Sequence, residues 1–354
     1  MPDARVQTAV HHWKPRFVAD GVDLNDFERT VAGIETWREW APAWMRLGDE
    51  RAGLAEEAEA AGRWITAGEH RLAAAMAYHF AKFLWFEDRA LYEDAHRKTA
   101  ECYARGAPWY FPPAERLAVP YAGGELRAVL RKPYASAFRP PVVILVPGLD
   151  STKEEMHFYA EPFLRRGMAT LALDGPGQGE SEFDFPIEPA YERALAAACE
   201  ALRGRADVDA ERVGVMGVSF GGHYGIRGLA RVPGIAAAVA INPFFRLADH
   251  WDALPVHSRE GFTVRSGAAD EAAARRRAAE LTLEDVAEEV RKPLLLIHGD
   301  RDTLFPTAGV RRIAEAARGP VDLVVYPEGN HVCNNVAYKY RPLMADWMKE
   351  RLGA

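Results

Sequence analysis

Cysteine is scarce in this chain: Cys102, Cys199 and Cys333 are the only three in 354 residues. Their separations match no metal-ligand spacing and suggest no disulfide framework, so they read as reduced thiols of a cytoplasmic protein. Long hydrophobic runs are also missing. No stretch of 18 apolar residues occurs, which excludes a membrane-spanning helix. The opening residues, MPDARVQTAVHHWKPRF, hold no hydrophobic signal core. Positive charge is in deficit, with a formal net charge of −7 and no basic stripe, which argues against a nucleic-acid partner. There is no Walker loop, no dinucleotide fingerprint in a suitable place and no zinc spacing, so neither a cofactor nor a metal is expected. Apolar residues, in contrast, make up 49% of the chain, enough for a sizeable core. The length modestly exceeds one large α/β unit.

The chain divides by character. Seven of the nine tryptophans (Trp13, Trp37, Trp40, Trp44, Trp64, Trp85 and Trp109) precede residue 110 in an Ala-, Glu- and Arg-rich region with helical period. Thr66-Ala67-Gly68-Glu69 has the form of a capping box. After it Leu72, Met76, Phe80 and Leu84 recur every four residues, with Ala73, Ala77 and Ala81 as a smaller ridge beside them, as on one face of a packed helix. FEDRALYEDAHRKTAECYARG predicts the next helix, closed by Gly106. GAPWYFPP then breaks the pattern, which sets a helical N-terminal domain at 1–113 and a second domain at 114–354. The aromatic first domain is also a candidate surface for a homodimer.

Beyond residue 113, RLAVPYAGGELRAVLRKP predicts two strands joined at Gly123-Gly124. Short apolar runs follow at Val142–Val146, Ala169–Leu173, Val213–Met216, Ile235–Ile241, Leu294–Ile297 and Leu323–Tyr326, alternating with amphipathic stretches. Such continuous runs suit a buried, mostly parallel sheet flanked by helices. Residues from about 243 to 290 interrupt this rhythm and read as an insertion over the sheet's edge.

One run ends in Gly217-Val218-Ser219-Phe220-Gly221-Gly222. A serine between glycines, at a strand-to-helix turn, is the setting of a nucleophile elbow. A serine needs a base. His331, in YPEGNHVCNN after the last apolar run, is the candidate; His298 ends a strand and reads as a packed histidine. Asp302, in the loop after the run Leu294–Ile297, is the candidate acid, with Asp300 as an alternative. An oxyanion needs two N–H groups already aimed at it. Phe220, just after the serine, would supply one, and Leu149, in PGLDSTKEE, the other. His223 and Tyr224 follow on the elbow's helix, where they could line a cleft or pack in the core.

These motifs, with HGDRD, GNH and DGPGQGES, resemble the α/β-hydrolase superfamily over residues 116–354, and the order Ser219, Asp302, His331 is that family's. The N-terminal helices, PGLDSTKEE and DGPGQGES narrow the resemblance to the 2,6-dihydroxypseudooxynicotine hydrolase and fermentation–respiration-switch-like esterase branch. That branch implies an N-terminal helical domain capping an α/β-hydrolase core, with a small, ring-bearing substrate between them. It also implies carbon–carbon bond hydrolysis beside a carbonyl, or ester hydrolysis. By the same resemblance Asp150 would be an auxiliary acid or substrate-binding group; the branch has glutamate there, and Asp150 is one methylene shorter. Two other readings share the fold: elimination of an O-acyl group from a polyketide-like metabolite, with Ser219 a spectator, and a non-catalytic binding protein. Intact triad candidates argue against the latter.

Overall fold

A computed structural model of the chain describes residues 2–134 and 139–354. The chain forms two compact units, Met1–Glu115 and Arg116–Ala354.

Among the described residues the first unit is built of five α-helices: α1 (Ala4–Ala19), α2 (Leu24–Val31), α3 (Trp40–Ala60), α4 (Trp64–Ala81) and α5 (Arg89–Gly106). Its core is aromatic. Phe17 stacks on Phe80 with ring centroids 3.8 Å apart and meets Phe27 and Trp40 edge-on. Two of the buried indoles have their N–H groups satisfied: Trp40 donates to the Phe80 carbonyl at 2.9 Å and Trp85 to the Trp37 carbonyl at 2.8 Å. Trp64 and Trp109 instead stack on each other at the surface, 46% and 42% exposed.

The capping box expected at Thr66 is not a helix start, because α4 begins at Trp64 and Thr66 lies in its first turn. The preceding turn decides this. Gly62, at φ +70°, follows α3, and the Arg63 N–H bonds back to the Ala58 carbonyl at 2.8 Å, so the chain turns straight into α4. The capping box in this unit is at Thr36 and Glu39, where the Glu39 carboxylate accepts the Thr36 N–H at 2.9 Å. Met76 and Phe80 are fully buried as the four-residue spacing predicts, but α4 stops before Leu84, whose backbone is left-handed.

The second unit is an eight-stranded sheet with helices. Its elements are β1 (Ala114–Tyr121), β2 (Gly124–Arg131), β3 (Pro141–Val146), α6 (His157–Leu164), β4 (Ala169–Asp174), α7 (Glu192–Arg203), β5 (Asp209–Val218), α8 (Phe220–Arg231), β6 (Ile235–Ile241), α9 (Val256–Arg265), α10 (Glu271–Ala278), β7 (Leu294–Gly299), α11 (Thr307–Ala316), β8 (Val321–Tyr326) and α12 (Ala337–Leu352). The strand order is β1-β2-β4-β3-β5-β6-β7-β8. Strands β4 to β8 and β3 are mutually parallel, and β2 joins β4 antiparallel. β3, β4 and β7 are buried along their whole length, which is why their sequences read as continuous apolar runs rather than alternating ones.

Register sets where function can sit. Val146 lies opposite Gly217, Val218 opposite Ile241, Ile241 opposite Ile297, and Gly299 opposite Tyr326. The loops after β3, β5, β6, β7 and β8 therefore leave the sheet at one edge. The chain order reverses direction across the sheet at β3, with β4 on one side and β5 on the other. A parallel sheet leaves a crevice at such a reversal, outside the carboxyl ends of the strands.

The segment from about 243 to 290 leaves the sheet after β6, at the edge where these loops lie. It joins β6 to β7, which are neighbours inside the sheet. It carries α9 and α10, and its Phe262 packs 6.2 Å from Phe220, the residue after Ser219. Among the described residues no helix is long and apolar enough to cross a membrane.

Candidate active site

Ser219 stands between β5 and α8 at φ +55°, ψ −115°, a conformation costly for a residue with a side chain. Two glycines make the turn possible by close approach. A Cβ on Gly217 would lie 2.0 Å from the Gly221 carbonyl oxygen, and one on Gly221 would lie 2.0 Å from the Val146 carbonyl oxygen. Any side chain at either place would force the serine off the sheet's end. The Ser219 N–H is tied to the Ile241 carbonyl at 2.8 Å, and its carbonyl accepts the first intrahelical bond of α8, from His223, at 3.1 Å.

The sheet edge brings three distant side chains together. The Ser219 hydroxyl is 3.1 Å from His331 Nε2, and His331 Nδ1 is 2.8 Å from Asp302 Oδ2. All three are buried, at 8%, 5% and 9% exposure for Ser219, His331 and Asp302. Asp300 is elsewhere: its carboxylate accepts the Thr307 hydroxyl at 2.6 Å on the exposed surface. His298 is fully buried at the end of β7. The loops that carry Asp302 and His331 are stitched together by Asp300 N–H to the Tyr326 carbonyl and Arg301 N–H to the Gly329 carbonyl, each 2.9 Å. Just after His331, Val332 and Cys333 are both left-handed, at φ +62° and +55°, so the imidazole is held by a strained turn.

Asp302 is saturated with donors. Its Oδ1 accepts the N–H groups of Leu304 at 2.7 Å and Phe305 at 3.1 Å. Its Oδ2 accepts Asn242 Nδ2 at 2.7 Å as well as His331. Burial by itself would raise the carboxyl pKa, but the facing imidazole and these hydrogen bonds outweigh it and hold the pKa below the ordinary value. The group is thus an anion beside the Nδ1 of His331, which favours the tautomer whose Nε2 is free to accept the serine proton.

Sequence reasoning missed Asn242. It sits at the end of β6 at φ +46°, where asparagine is better tolerated than most residues, and its N–H bonds the Ile297 carbonyl at 2.8 Å. Its only sequence signal was its place after an apolar run.

The oxyanion candidates lie beside the serine. Phe220 opens α8, so its N–H has no carbonyl one turn earlier to donate to. Leu149 follows Gly148, where a Cβ would lie 3.6 Å from Ser219 Cβ. Asp150 follows, buried at 9% exposure.

The loop that carries Leu149 is anchored by a buried ionic cluster that sequence reasoning left within two motifs. The Lys153 ammonium lies 2.8 Å from Asp174, 2.6 Å from Glu154 and 2.5 Å from Glu180. The Lys153 N–H also donates to Asp174, at 2.7 Å. Burial alone would lower the Lys153 pKa; the three carboxylates reverse this and keep it charged. PGLDSTKEE and DGPGQGES are therefore two halves of one cluster.

His223 and Tyr224 do not line a cleft. Both are fully buried: His223 stacks on Phe244 with centroids 4.4 Å apart, and Tyr224 stacks on Tyr191 at 4.1 Å. The elbow helix packs these two positions inward. Burial pushes the His223 pKa down to about 3, although the Phe244 carbonyl, 3.2 Å from Nδ1, opposes this. Because the folded pKa lies below the unfolded value of about 6.5, unfolded chains bind the extra proton first. Stability is then lost as pH falls below about 6.5, by ~1.4 kcal/mol per unit while only the unfolded form titrates. His223→Phe keeps the stacking and removes the titration. Urea unfolding at pH 7 and pH 5 should show the wild type losing about 2 kcal/mol more than the variant between them.

An α/β-hydrolase family matches residues 143–353. The chain is an α/β-hydrolase. An FrsA-like esterase family also matches, over residues 22–245. This hydrolase is 33% identical over 345 residues to a 2,6-dihydropseudooxynicotine hydrolase of Paenarthrobacter nicotinovorans, covering 96% of this chain and 91% of that one. It is 30% identical to the hydrolyase poxO of Penicillium oxalicum over 62% of this chain and 54% of that one. The crystal structure of the 2,6-dihydroxy-pseudo-oxynicotine hydrolase superposes with a TM-score of 0.87 at 31% identity, covering 96% of this chain and 95% of that one. The wild-type AbyA5 structure shares the fold, at a TM-score of 0.78 and 21% identity.

Proposed function

We propose that the protein is a serine-dependent hydrolase of a small, ring-bearing carbonyl compound, cutting either a carbon–carbon bond beside the carbonyl or an ester. The 3.1 Å approach of the Ser219 hydroxyl to His331 Nε2 carries this reading. His331 takes the Ser219 proton as Oγ adds to the carbonyl carbon, and the Asp302 anion stabilises the imidazolium. The N–H groups of Phe220 and Leu149 receive the developing oxyanion; one such donor contributes on the order of 3–4 kcal/mol to lowering the barrier. Collapse breaks the bond to the leaving group, which takes the proton from His331 and departs. Water, deprotonated by His331, then releases the acid from the acyl-enzyme.

The two substrates differ at the leaving group. An ester releases an alcohol, whereas a ketone must release carbon, which leaves only if it is protonated or its charge is delocalised, as by a phenol ring. Similarity to the pseudooxynicotine hydrolase supports carbon–carbon cleavage, and the FrsA-like family supports ester cleavage. Asp150, next to Leu149, would act as the extra polar group for the carbon leaving group. Asp150→Asn is accordingly expected to slow aryl-ketone cleavage at least ~10²-fold more than aryl-ester cleavage, the low end of what a general acid contributes. Equal effects in a side-by-side steady-state assay would remove that role.

A fluorophosphonate probe tests the reading as a whole. Rapid labelling that disappears in Ser219→Ala, together with turnover of an aryl ester or aryl ketone, is the expected result. Labelling without turnover of either substrate would favour a binding protein or an enzyme that eliminates an O-acyl group.

A further inference from the structure

The carbonyls on both sides of the Leu149 N–H are each held by a buried side chain for which the reaction above has no use. Gln178, only 2% exposed, donates through Nε2 to the Pro147 carbonyl at 2.6 Å and to the Gly148 carbonyl at 3.4 Å. Its Oε1 accepts the Gly175 N–H at 3.1 Å and the Tyr191 hydroxyl at 2.6 Å, which fixes the amide with its nitrogen toward the loop. Arg265, the last residue of α9, donates Nη1 to the Leu149 carbonyl. Its Nε pairs with the buried Glu182 carboxylate at 3.0 Å, and its own carbonyl accepts the Ile187 N–H at 2.9 Å.

A trans peptide is planar, and its N–H points opposite to its carbonyl. Holding the Gly148 carbonyl toward Gln178 therefore directs the Leu149 N–H the other way. Holding the Leu149 carbonyl on Arg265 fixes the next peptide plane, so the intervening peptide cannot turn over without breaking a buried bond at one end. An oxyanion donor lowers a barrier only if it is aimed before charge develops.

We propose that Gln178 and Arg265 are positioning residues of the oxyanion hole, which together hold the Leu149 N–H toward the Ser219 oxyanion. The proposal rests on the nucleophile reading of Ser219. It gives α9 a task within the reaction and makes DGPGQGES part of the oxyanion apparatus.

Full-length wild type, Arg265→Met, Arg265→Lys and Gln178→Glu, the last nearly the same size but without the donor, are compared with p-nitrophenyl acetate as substrate. An aryl trifluoromethyl ketone, which adds to the serine and mimics the tetrahedral oxyanion, is the inhibitor. Arg265→Met and Gln178→Glu are expected to lower kcat about 10- to 100-fold with KM within about threefold, since a displaced donor costs no more than a deleted one. Inhibitor affinity should fall by a similar factor, and Arg265→Lys, which still carries a donor, should recover part of both. A role confined to stability would lower the melting temperature and the fraction of active sites labelled by fluorophosphonate, leaving kcat per labelled site and inhibitor affinity at wild-type values; that result overturns the proposal. So does a kcat loss without a matching loss of inhibitor affinity. If Arg265→Met does not fold, Gln178→Glu decides alone. Failure of the nucleophile reading shows in a different place, as turnover by Ser219→Ala or no inhibition of wild type, and overturns both.

Discussion

Ser219→Ala is expected to abolish turnover, lowering kcat by about 10⁴- to 10⁶-fold while leaving the fold intact. The magnitude follows from the way nucleophile and base act as a unit: once one is gone, the other contributes almost nothing, and what remains comes from the oxyanion hole and substrate binding. The structural cost should be small. The backbone at residue 219 is held by its N–H bond to the Ile241 carbonyl and by the bond from His223, neither of which involves the hydroxyl. Alanine meets the same left-handed strain that serine already bears at φ +55°. Single-turnover and steady-state assays on the purified variant, with a melting curve beside them, measure this. Turnover within tenfold of wild type would exclude an acyl-enzyme and turn attention to elimination, in which His331 could act as base without the serine.

Asp302→Asn is expected to lower kcat by about 10⁴-fold through the imidazole tautomer rather than through loss of contact. The carboxylate meets four donors and no acceptor. An amide has one oxygen for them. Keeping that oxygen on the Leu304 and Phe305 N–H groups turns the amide NH₂ toward Asn242 and His331. His331 must then offer Nδ1 as an acceptor and carry its proton on Nε2, where it faces the serine and cannot take a proton from it. The Asn242 amide must also turn over. Stability should fall by about 1–3 kcal/mol, the cost of unsatisfied buried groups. A pH–rate profile supplies the check: activity should recover as pH rises toward values at which the imidazole no longer has to accept a proton, because hydroxide can deprotonate the serine. A wild-type rate for a folded variant near pH 7 would show that the Asp302–His331 contact has no catalytic weight.

Much of the site was legible because backbone demands leave marks in local sequence. Gly217 and Gly221 are required by approaches of 2.0 Å to carbonyl oxygens, and glycine is the one residue that permits them, so the elbow shows as a short motif. Asp302 and His331 were recoverable from their places after apolar runs, since a parallel sheet puts every such loop at one edge. Asn242 was not recoverable in this way. It marks itself neither by spacing nor by neighbours, and its importance lies in a 2.7 Å bond to a residue 60 positions away. Arg265 was hidden for a similar reason: it lies in a segment whose apolar pattern is irregular, and only the packing of α9 beside the elbow gives its charge a partner. The start of α4 was misplaced because a good local capping sequence competed with the turn at Gly62, and the turn's hydrogen bond won.

What the sequence determined by itself is therefore the sheet, its parallel character and the chemical identity of the serine, histidine and aspartate candidates. Each of these follows from short-range constraints: burial on both faces makes continuous apolar runs, and a tight turn makes glycines. Tertiary structure alone decided that His223 and Tyr224 turn inward, and that glutamine, arginine and asparagine from three separate segments complete the site. Those outcomes depend on register between strands and on the packing of one insertion. Such long-range contacts are paid for in folding by the whole core, so no single stretch of chain records them.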